Sequence, residues 1–313
     1  MKIAIDAMGG DYGPQNNVKG VQLALQELPS SATVVMVGQK EVLHQLVDEA
    51  GFVNKNFEIA HAEDVIPMGV HATKALSQMP RASIPTGYNL LKGKAVEAFC
   101  GCGNTGAMHV GAIFSIKAIE GIIRPGIAGF VPKEAGGYGV LMDVGANADC
   151  KPDVLVQFAE IASIYAKHIY EIDQPKVGLI NLGEEEQKGT LLTQAAFQLL
   201  KLNKKLNFVG NIEGRDLFND KADVMVCDGF TGNVMLKLAE SFYDMIKARK
   251  INEPFFDRMD YRNVGGSPIL GINGNVIIGH GVSDKHAIKN MLIQAYKMAV
   301  ANMNQKIKES LTS

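Results

Sequence analysis

Uninterrupted apolar runs recur along the chain, each followed by a loop of Gly, Asn and Asp and then by a segment with helical spacing. The pairs of run and helical segment are KIAIDAMGGDYGP with residues 15–28, VEAFCGCGNTG with 107–119, GVLMDVGANADCKP with 153–170, VGLINLGEEEQKG with 190–202, and DVMVCDGFTGN with 234–250. Apolar runs without alternation are typical of strands buried on both faces of a parallel sheet. Repeated strand–loop–helix units therefore predict an α/β fold with helices covering both faces.

The rest of the chain adds three elements to this pattern. A sixth apolar run at 32–38 precedes a helical pattern at 41–50, and a final helix is predicted over 283–308. Two short runs flank Asn273-Gly274, a dipeptide that favours a β-hairpin turn. No shift in composition marks a boundary, so residues 1–313 are predicted to form a single α/β domain with a helical arm at about 234–262.

Polar side chains collect where the predicted strands end. In parallel α/β sheets the ligand crevice lies outside the carboxyl ends of the strands. The polar residues at these ends are Asp6, Asn104, Asp143, Asn147, Asn181, Asp228 and Asn233. Asn and Asp are also ordinary helix caps and turn formers, which is the alternative for each one taken singly. Their recurrence in five loops favours a binding site.

The stretch FCGCGNTGAM combines two thiols with a glycine loop. Gly103 and Gly106 allow close approach to the backbone, and Thr105 lies near a helix start, where free N–H groups favour an anion such as phosphate. DGFTGNV and AMGGDYG have a similar arrangement. The alternative is a reactive thiol at the helix start. A zinc site at Cys100 and Cys102 would need two further ligands that the spacing does not supply.

The loop GEEEQKG places Lys188 after three glutamates. In the first turn of a helix the glutamates would complement the helix dipole, whereas a lysine would oppose it unless an anion were bound nearby. A solvated lysine is the simpler alternative.

The composition narrows the class of protein. Apolar residues make up 47% of the chain and aromatic residues 7%, which suits an aliphatic core. The net charge of −2 gives no indication of a nucleic-acid partner. Four cysteines in a chain of this length do not suggest a disulfide framework, and no export signal is visible, so we expect a cytoplasmic protein.

Eight motifs in order closely resemble the PlsX-type phosphate acyltransferases of bacterial phospholipid synthesis. They are IAIDAMGGDYGP, GNTGA, IRPGIAGFVP, LMDVGANAD, NLGEEEQKGT, FVGNIEGRDLF, ADVMVCDGFTGNVMLKL and GINGNVIIGHG, spanning residues 3 to 281. The resemblance implies transfer of an acyl group from acyl carrier protein to inorganic phosphate, without a metal or organic cofactor. It also implies a three-layer α/β/α Rossmann-like sandwich similar to isocitrate dehydrogenases and phosphotransacetylases, a homodimer, and peripheral contact with the inner face of the cell membrane.

This reaction needs phosphate held beside a thioester and donors for the oxyanion that forms. We expect Lys188 to position phosphate and Asn233 to donate to the oxyanion or to phosphate. The expected phosphate cradle and crevice lining are Asn104, Thr105 and Gly106, with Asp6, Gly9, Gly10, Asp143, Asn147 and Asp228. Arg124, Arg215 and His280 are secondary candidates. The reaction gives Cys102 no role.

Two stretches depart from the family pattern. Family members often carry small residues where Cys100 and Cys102 stand, which favours reading both as small buried fillers. Many also have a basic run ending in two serines near residues 77–84, where this chain has SQMPRASI with only Arg81 and Ser83 in place.

Apolar residues from Val234 to Ile246 form one stripe on the predicted arm. We expect this stripe to serve dimerisation. Phe255 and Phe256, close to Lys247, Arg249 and Lys250, are expected to form a membrane-contacting tip.

Three other functions are alternatives. One is a phosphate acetyl- or butyryltransferase that uses coenzyme A. A second is a dehydrogenase of the isocitrate type, although its acidic metal ligands and arginine cluster are not visible. The third is a non-catalytic, membrane-associated scaffold that binds carrier protein.

Overall fold

The computed structural model describes residues 1–54 and 56–312. The strands in chain order are β1 (Lys2–Asp6), β2 (Thr33–Gly38), β3 (Phe57–His61), β4 (Ala98–Gly101), β5 (Gly126–Pro132), β6 (Tyr138–Met142), β7 (Lys176–Ile180), β8 (Asn207–Ile212), β9 (Val224–Val226), β10 (Ser267–Leu270) and β11 (Asn275–Ile278).

The helices are α1 (Gln15–Glu27), α2 (Lys40–Glu49), α3 (Ala72–Gln78), α4 (Ser83–Lys92), α5 (Thr105–Gly111), α6 (Pro152–Ile169), α7 (Leu191–Leu202), α8 (Gly229–Ala248), α9 (Pro254–Asp257), α10 (Tyr261–Val264), α11 (Lys285–Val300) and α12 (Met303–Thr312). A π-helical turn, Ala112–Ile116, continues α5. Over residues 1–54 and 56–312, no helix has both the length and the apolar content needed to cross a bilayer.

The chain forms two compact units. The first unit comprises Met1–Lys117 and Tyr261–Asn304, and the second comprises Ala118–Asp260 with the chain from Gln305 onward. The prediction of a single domain over residues 1–313 stays a prediction.

The first unit is built on a sheet with the strand order β3-β2-β1-β4-β11-β10. The first five strands in this order, from β3 through β2, β1 and β4 to β11, run parallel to one another. The hairpin predicted at Asn273-Gly274 is confirmed as the antiparallel pair β10–β11. Ile3, Ala4 and Ile5 are completely buried, as expected for a central strand with both faces covered. Helices α1 and α11 pack against each other beside this sheet.

The second unit has the strand order β5-β6-β9-β7-β8, with β5–β6 antiparallel and the other pairs parallel. Helix α6 covers this sheet with a stripe that includes Val154, Phe158 and Tyr165, all at most 1% exposed. The predicted α/β class with mainly parallel strands is confirmed in each unit.

Several element boundaries differ from the predicted ones. Helix α8 begins at Gly229 rather than at 234, because the Asp228 side chain caps it, accepting a hydrogen bond from the Thr231 N–H. The predicted final helix is two helices, α11 and α12. The predicted arm region contains the end of α8 followed by the short helices α9 and α10.

Candidate active site

The carboxylate of Asp143 organises the loop after β6 in the second unit. Its Oδ1 accepts hydrogen bonds from the N–H groups of Ile127 (2.9 Å) and Ala146 (3.2 Å). Its Oδ2 accepts from the backbone N–H (2.6 Å) and the side-chain amide (3.0 Å) of Asn147. Asp143 is completely buried. Both oxygens are therefore occupied, and Asp143 positions the loop rather than presenting itself to a ligand.

Asn147 joins this loop to the start of α8. Its side-chain amide also donates to the carbonyl of Pro125 at 2.8 Å, and its own carbonyl accepts from the Gly229 N–H at 2.7 Å. At Gly232 an added Cβ would collide with the Asp143 carbonyl oxygen, so only glycine lets the helix approach this closely. The structure thus brings Asp143, Asn147 and Asp228 together, with Asp228 acting as the helix cap.

Asn233 lies on α8 one turn from its start. Its side chain is exposed and, within residues 1–54 and 56–312, makes no hydrogen bond. A Cβ added at Gly145 would lie 3.7 Å from the Asn233 side-chain oxygen, so the amide borders the loop held by Asp143. The amide therefore lies beside this loop and, in the described chain, keeps both of its N–H donors.

Lys188 lies in a loop that precedes α7. Helix α7 begins only at Leu191 with Thr190 as its cap, so the glutamates of GEEEQKG do not form a first helical turn. The Asn181 side-chain amide instead holds the loop by donating to the Lys188 carbonyl at 3.1 Å.

The lysine side chain itself is exposed. In the part of the chain that the structure describes, its ammonium group has no ion-pair partner, and two of the three neighbouring glutamates pair with other lysines. Glu184 pairs with Lys221 at 2.8 Å and Glu186 with Lys201 at 2.5 Å. These contacts lower the pKa of both carboxyl groups.

A cavity of about 270 Å³ opens at the carboxyl ends of β7 and β9. Its lining comes from the second unit: Leu155, Ile180, Asn181, Leu182, Gly189, Thr190, Thr193, Cys227, Asp228 and Thr231. Of these, Asn181 is recognisable from the sequence, because it is a polar residue at the end of a predicted strand. Leu155 is not, because a buried leucine on a helix looks the same in sequence whether or not it lines a cavity.

Asp6 has a different environment at the end of β1 in the first unit. Its Oδ1 accepts from the N–H groups of Met8 and Gly9, both at 3.1 Å, while its buried Oδ2 has no hydrogen-bond partner in the described chain. Burial raises the pKa of Asp6, against the smaller opposing effects of the nearby Ser83 hydroxyl and of these backbone hydrogen bonds. A Cβ at Gly9 would meet the Gly103 Cα at 2.6 Å, so this glycine serves backbone packing.

Asn104 caps α5 and clamps a distant loop. Its side-chain oxygen accepts from the Ala107 N–H at 2.9 Å, and its amide donates to the carbonyls of Pro67, Met68 and Val70 at 2.9–3.0 Å. The Asn104 side chain is therefore fully engaged. Its neighbours Thr105 and Gly106 are exposed at the helix start.

Gly10 and His280 lie in neighbouring loops of the first unit. Gly10 has a φ of +99°, which favours glycine, and a Cβ there would lie 3.3 Å from the Gly281 carbonyl. The His280 ring stacks on Tyr261 with centroids 4.7 Å apart. Of the secondary arginines, Arg215 pairs with Glu213 at 2.6 Å and Arg124 donates to the Asp149 carbonyl at 3.3 Å.

Burial raises the pKa of every cysteine thiol. The pKa of Cys102 is raised to about 12 and that of Cys150 to about 11, and those of Cys100 and Cys227 are also raised. A thiol of this kind forms little thiolate at neutral pH, so the backbone interpretation of FCGCGNTGAM is favoured over the thiol interpretation. The described residues contain no cluster of His, Cys, Asp or Glu that could hold a metal ion.

The raised pKa of Asp6 predicts a pH-dependent stability difference for Asp6→Asn. Above the ordinary aspartate pKa of 3.8 the unfolded chain loses this proton while the folded protein retains it, so wild-type stability falls as pH rises towards the folded pKa. The substituted asparagine keeps an oxygen for the Met8 and Gly9 N–H groups and does not titrate. We expect the unfolding free energy of Asp6→Asn, relative to wild type, to increase between about pH 4, near the ordinary pKa, and about pH 8 in urea titrations. If the stability difference between Asp6→Asn and wild type is the same at both pH values, the raised pKa of Asp6 is contradicted.

The chain matches known proteins over almost all of its length. The family model described as "Fatty acid synthesis protein" matches residues 1–306. A phosphate acyltransferase from Dictyoglomus turgidum is 41% identical over 99% of this chain and 98% of its own length. A second, from Pelotomaculum thermopropionicum, is 42% identical over 100% of this chain and 96% of its own length.

Among solved structures, a phosphotransacetylase from Streptococcus pyogenes has a TM-score of 0.72 at 18% identity, covering 96% of this chain and 94% of that one. This likeness confirms the predicted fold class. The sequence matches confirm the resemblance seen in the loop motifs: the chain belongs to the fatty acid synthesis protein family, the PlsX family of phosphate acyltransferases.

Proposed function

We propose that the protein transfers a fatty acyl group from the thioester of acyl carrier protein to inorganic phosphate, giving acyl phosphate for phospholipid synthesis. Membership of the phosphate acyltransferase family supports the reaction class. The observation that carries the proposal concerns two residues of the second unit. Within the described residues, Lys188, in the loop before α7, is a cation without an ion-pair partner, and Asn233, on α8, keeps its amide donors unused.

In the proposed reaction a phosphate oxygen attacks the carbonyl carbon of the thioester. The new C–O bond forms a tetrahedral intermediate, and its collapse breaks the C–S bond. The thiolate of the carrier leaves and takes a proton from solvent. Phosphate is already ionised at neutral pH, so positioning and charge stabilisation are the main requirements.

Lys188 has the properties of a phosphate-positioning residue. Its ammonium group is exposed and, within the described ranges, not neutralised by a carboxylate. Its backbone is fixed by Asn181, which leaves the side chain to reach a ligand. A lysine acts as a point charge towards phosphate and would offset the negative charge of the attacking oxygens.

Asn233 has the properties of an oxyanion donor. A preorganised N–H group aimed at the developing negative charge stabilises the intermediate without reorganisation. The loop of Asp143 borders the amide, and the network of Asp143 and Asn147 fixes the start of the helix that carries Asn233.

The other expected site residues divide into two groups. Asp143, Asn147, Asp228 and the side chain of Asn104 are engaged within the fold, and we propose that they position the loops. The exposed N–H groups of Thr105 and Gly106 remain proposed phosphate donors. Asp6, Gly9, Gly10 and His280 are proposed to shape the corresponding loops of the first unit.

We propose a homodimer with the exposed face of α8 as its interface. The exposed apolar residues on this helix are Phe230, Val234, Leu238, Phe242 and Met245, at 41–66% exposure. Peripheral contact with the inner face of the membrane near Phe255 and Phe256 also stays a proposal. Both rings are half-buried, and Phe255 packs against Phe218 with centroids 6.0 Å apart, so α8 offers the larger apolar surface.

Turnover of the purified protein with long-chain acyl carrier protein and phosphate tests the reaction. Free thiol and acyl phosphate are followed together. We expect Lys188→Ala to lower kcat/KM for phosphate by about 100-fold and Asn233→Ala to lower kcat by about 100-fold, the usual effect of losing one transition-state donor. Cys102→Ser and the exposed Lys204→Ala are controls expected to stay near wild type.

Two results contradict this mechanism. Loss of turnover in Cys102→Ser with unchanged folding restores the thiol interpretation. Activity of the wild type with acyl coenzyme A but not with acyl carrier protein assigns the protein to coenzyme A-dependent phosphate acyltransfer instead.

Leu238→Glu tests the proposed dimer face. A charge at the centre of an apolar interface must be desolvated without a partner, so we expect dimer affinity to fall about thirtyfold or more. Sedimentation equilibrium measures the change. Asp244→Ala, on the same helix but away from the stripe, is the matched control, and an unchanged dimer in Leu238→Glu refutes this interface.

A further inference from the structure

We propose that the cavity at the carboxyl ends of β7 and β9 binds the part of the donor's acyl chain next to the carbonyl, and that Thr193 and Leu182 help to determine chain-length preference. This inference rests on the proposed function, because it needs an acyl donor that reacts beside Lys188 and Asn233.

The lining of the cavity is mainly apolar. Leu155 and Cys227 form its buried floor, at 1% and 3% exposure, with Ile180 at 8%. The threonines of the lining turn their hydroxyl groups to local partners: Thr193 donates to the Thr190 carbonyl at 3.1 Å, and Thr231 donates to the Asp228 carboxylate at 2.9 Å. Methyl and methylene groups are thus left as the main surface for a ligand.

The charges around the cavity argue against phosphate as its occupant. Its lining contains the carboxylate of Asp228 and, among the described residues, no lysine, arginine or histidine. An anion would be repelled there and would lose hydration without a compensating cation. An alkyl chain has neither problem, since its burial is favoured by about fourfold in affinity for each methylene.

Exposed leucines continue the apolar surface outwards from the cavity. Leu182, part of the lining, is 70% exposed, and Leu191, next to the lining residue Thr190, is 86% exposed. The cavity of about 270 Å³ is slightly smaller than the range of about 300–1,000 Å³ that is usual for small-molecule sites. It therefore holds only the carbons nearest the carbonyl, and the rest of a long chain covers these leucines.

The position of the cavity suits the reaction. Gly189, in its lining, directly follows Lys188, and Thr231 lies two residues before Asn233 on α8. A chain seated in the cavity leaves its carbonyl at the rim, between the loop of the proposed phosphate-positioning lysine and the helix of the proposed oxyanion donor. The buried carbons would orient the thioester for attack.

Thr193→Phe tests the cavity by filling it from α7. Ala195→Phe introduces the same ring on an exposed position of that helix outside the lining, and serves as the matched control. Leu182→Ser removes the exposed apolar side chain at the entrance of the cavity and leaves the buried residues unchanged. Thermal unfolding of each variant checks that the fold is kept.

Two measurements are made on the full-length protein. The first is equilibrium binding of a fluorescent long-chain fatty acid, which requires no turnover. We expect Thr193→Phe to weaken it by about tenfold or more and Leu182→Ser by about threefold, with Ala195→Phe unchanged. The second is kcat/KM for palmitoyl and butyryl carrier protein. We expect a loss of about tenfold for palmitoyl in Thr193→Phe, a much smaller loss for butyryl, and an unchanged KM for phosphate.

The outcomes separate this inference from the proposed function. Equal losses for both chain lengths, a rise in the KM for phosphate alone, or unchanged fatty-acid binding in a folded Thr193→Phe protein overturns the acyl assignment while the reaction stands. If wild type forms no acyl phosphate from either donor, the proposed function fails. In that case the binding measurement still decides whether the cavity takes an alkyl chain.

Discussion

The carboxylate of Asp143 is the contact on which the second unit depends. Its four hydrogen bonds tie the end of β6 to the start of β5 and to the loop that carries Asn147. Through the Asn147 carbonyl the same network holds the first N–H of α8. A buried carboxylate is costly unless its lone pairs are satisfied, and removing it would leave several donors without partners, each costing about 1–3 kcal/mol. The backbone position of Asn233 depends on this network, because the network holds the first residue of α8, the helix that carries Asn233.

Asp6 occupies the equivalent place in the first unit, at the end of a buried strand, but with fewer donors. Only one of its oxygens is hydrogen-bonded within the described chain, and burial raises its pKa. The difference lies in the following loops: after β6 the loop turns back so that the Asn147 amide and backbone reach the carboxylate. After β1 the space around the second oxygen of Asp6 is filled by Gly9 and Gly103. The same motif in sequence, an aspartate after an apolar run, thus gives two electrostatic environments.

The sequence pattern predicts most of the buried strands and the turns whose chemistry is local. Uniformly apolar runs such as residues 3–5 form central parallel strands, and the hairpin at Asn273-Gly274 forms because its turn chemistry is local. The strands β3 and β8, whose exposed positions interrupt the apolar run, are not predicted, and neither is β5, although all seven of its residues are buried. The predicted start of α8 is five residues late because glycines in DGFTGNV suggest a loop. In the structure Gly232 is required by the close approach of α8 to Asp143.

The residues proposed for the site fall into two groups that their spacing in the sequence does not distinguish: side chains hydrogen-bonded within the fold, and side chains that make no such bond in the described chain. Most polar residues at the strand ends are hydrogen-bonded within the fold, as Asn104 is to three backbone carbonyls, and a group whose hydrogen bonds are all used in this way has little left for a substrate. Lys188 and Asn233 differ because the fold fixes their backbones and leaves their side chains unused in the described chain. A charge or donor that is held in place yet unsatisfied is prepared to respond to charge that develops during a reaction. Cys100, Cys102 and Cys227, which are buried and have raised pKa values, have the opposite properties, and this agrees with the proposal that loops and amides rather than thiols carry the reaction.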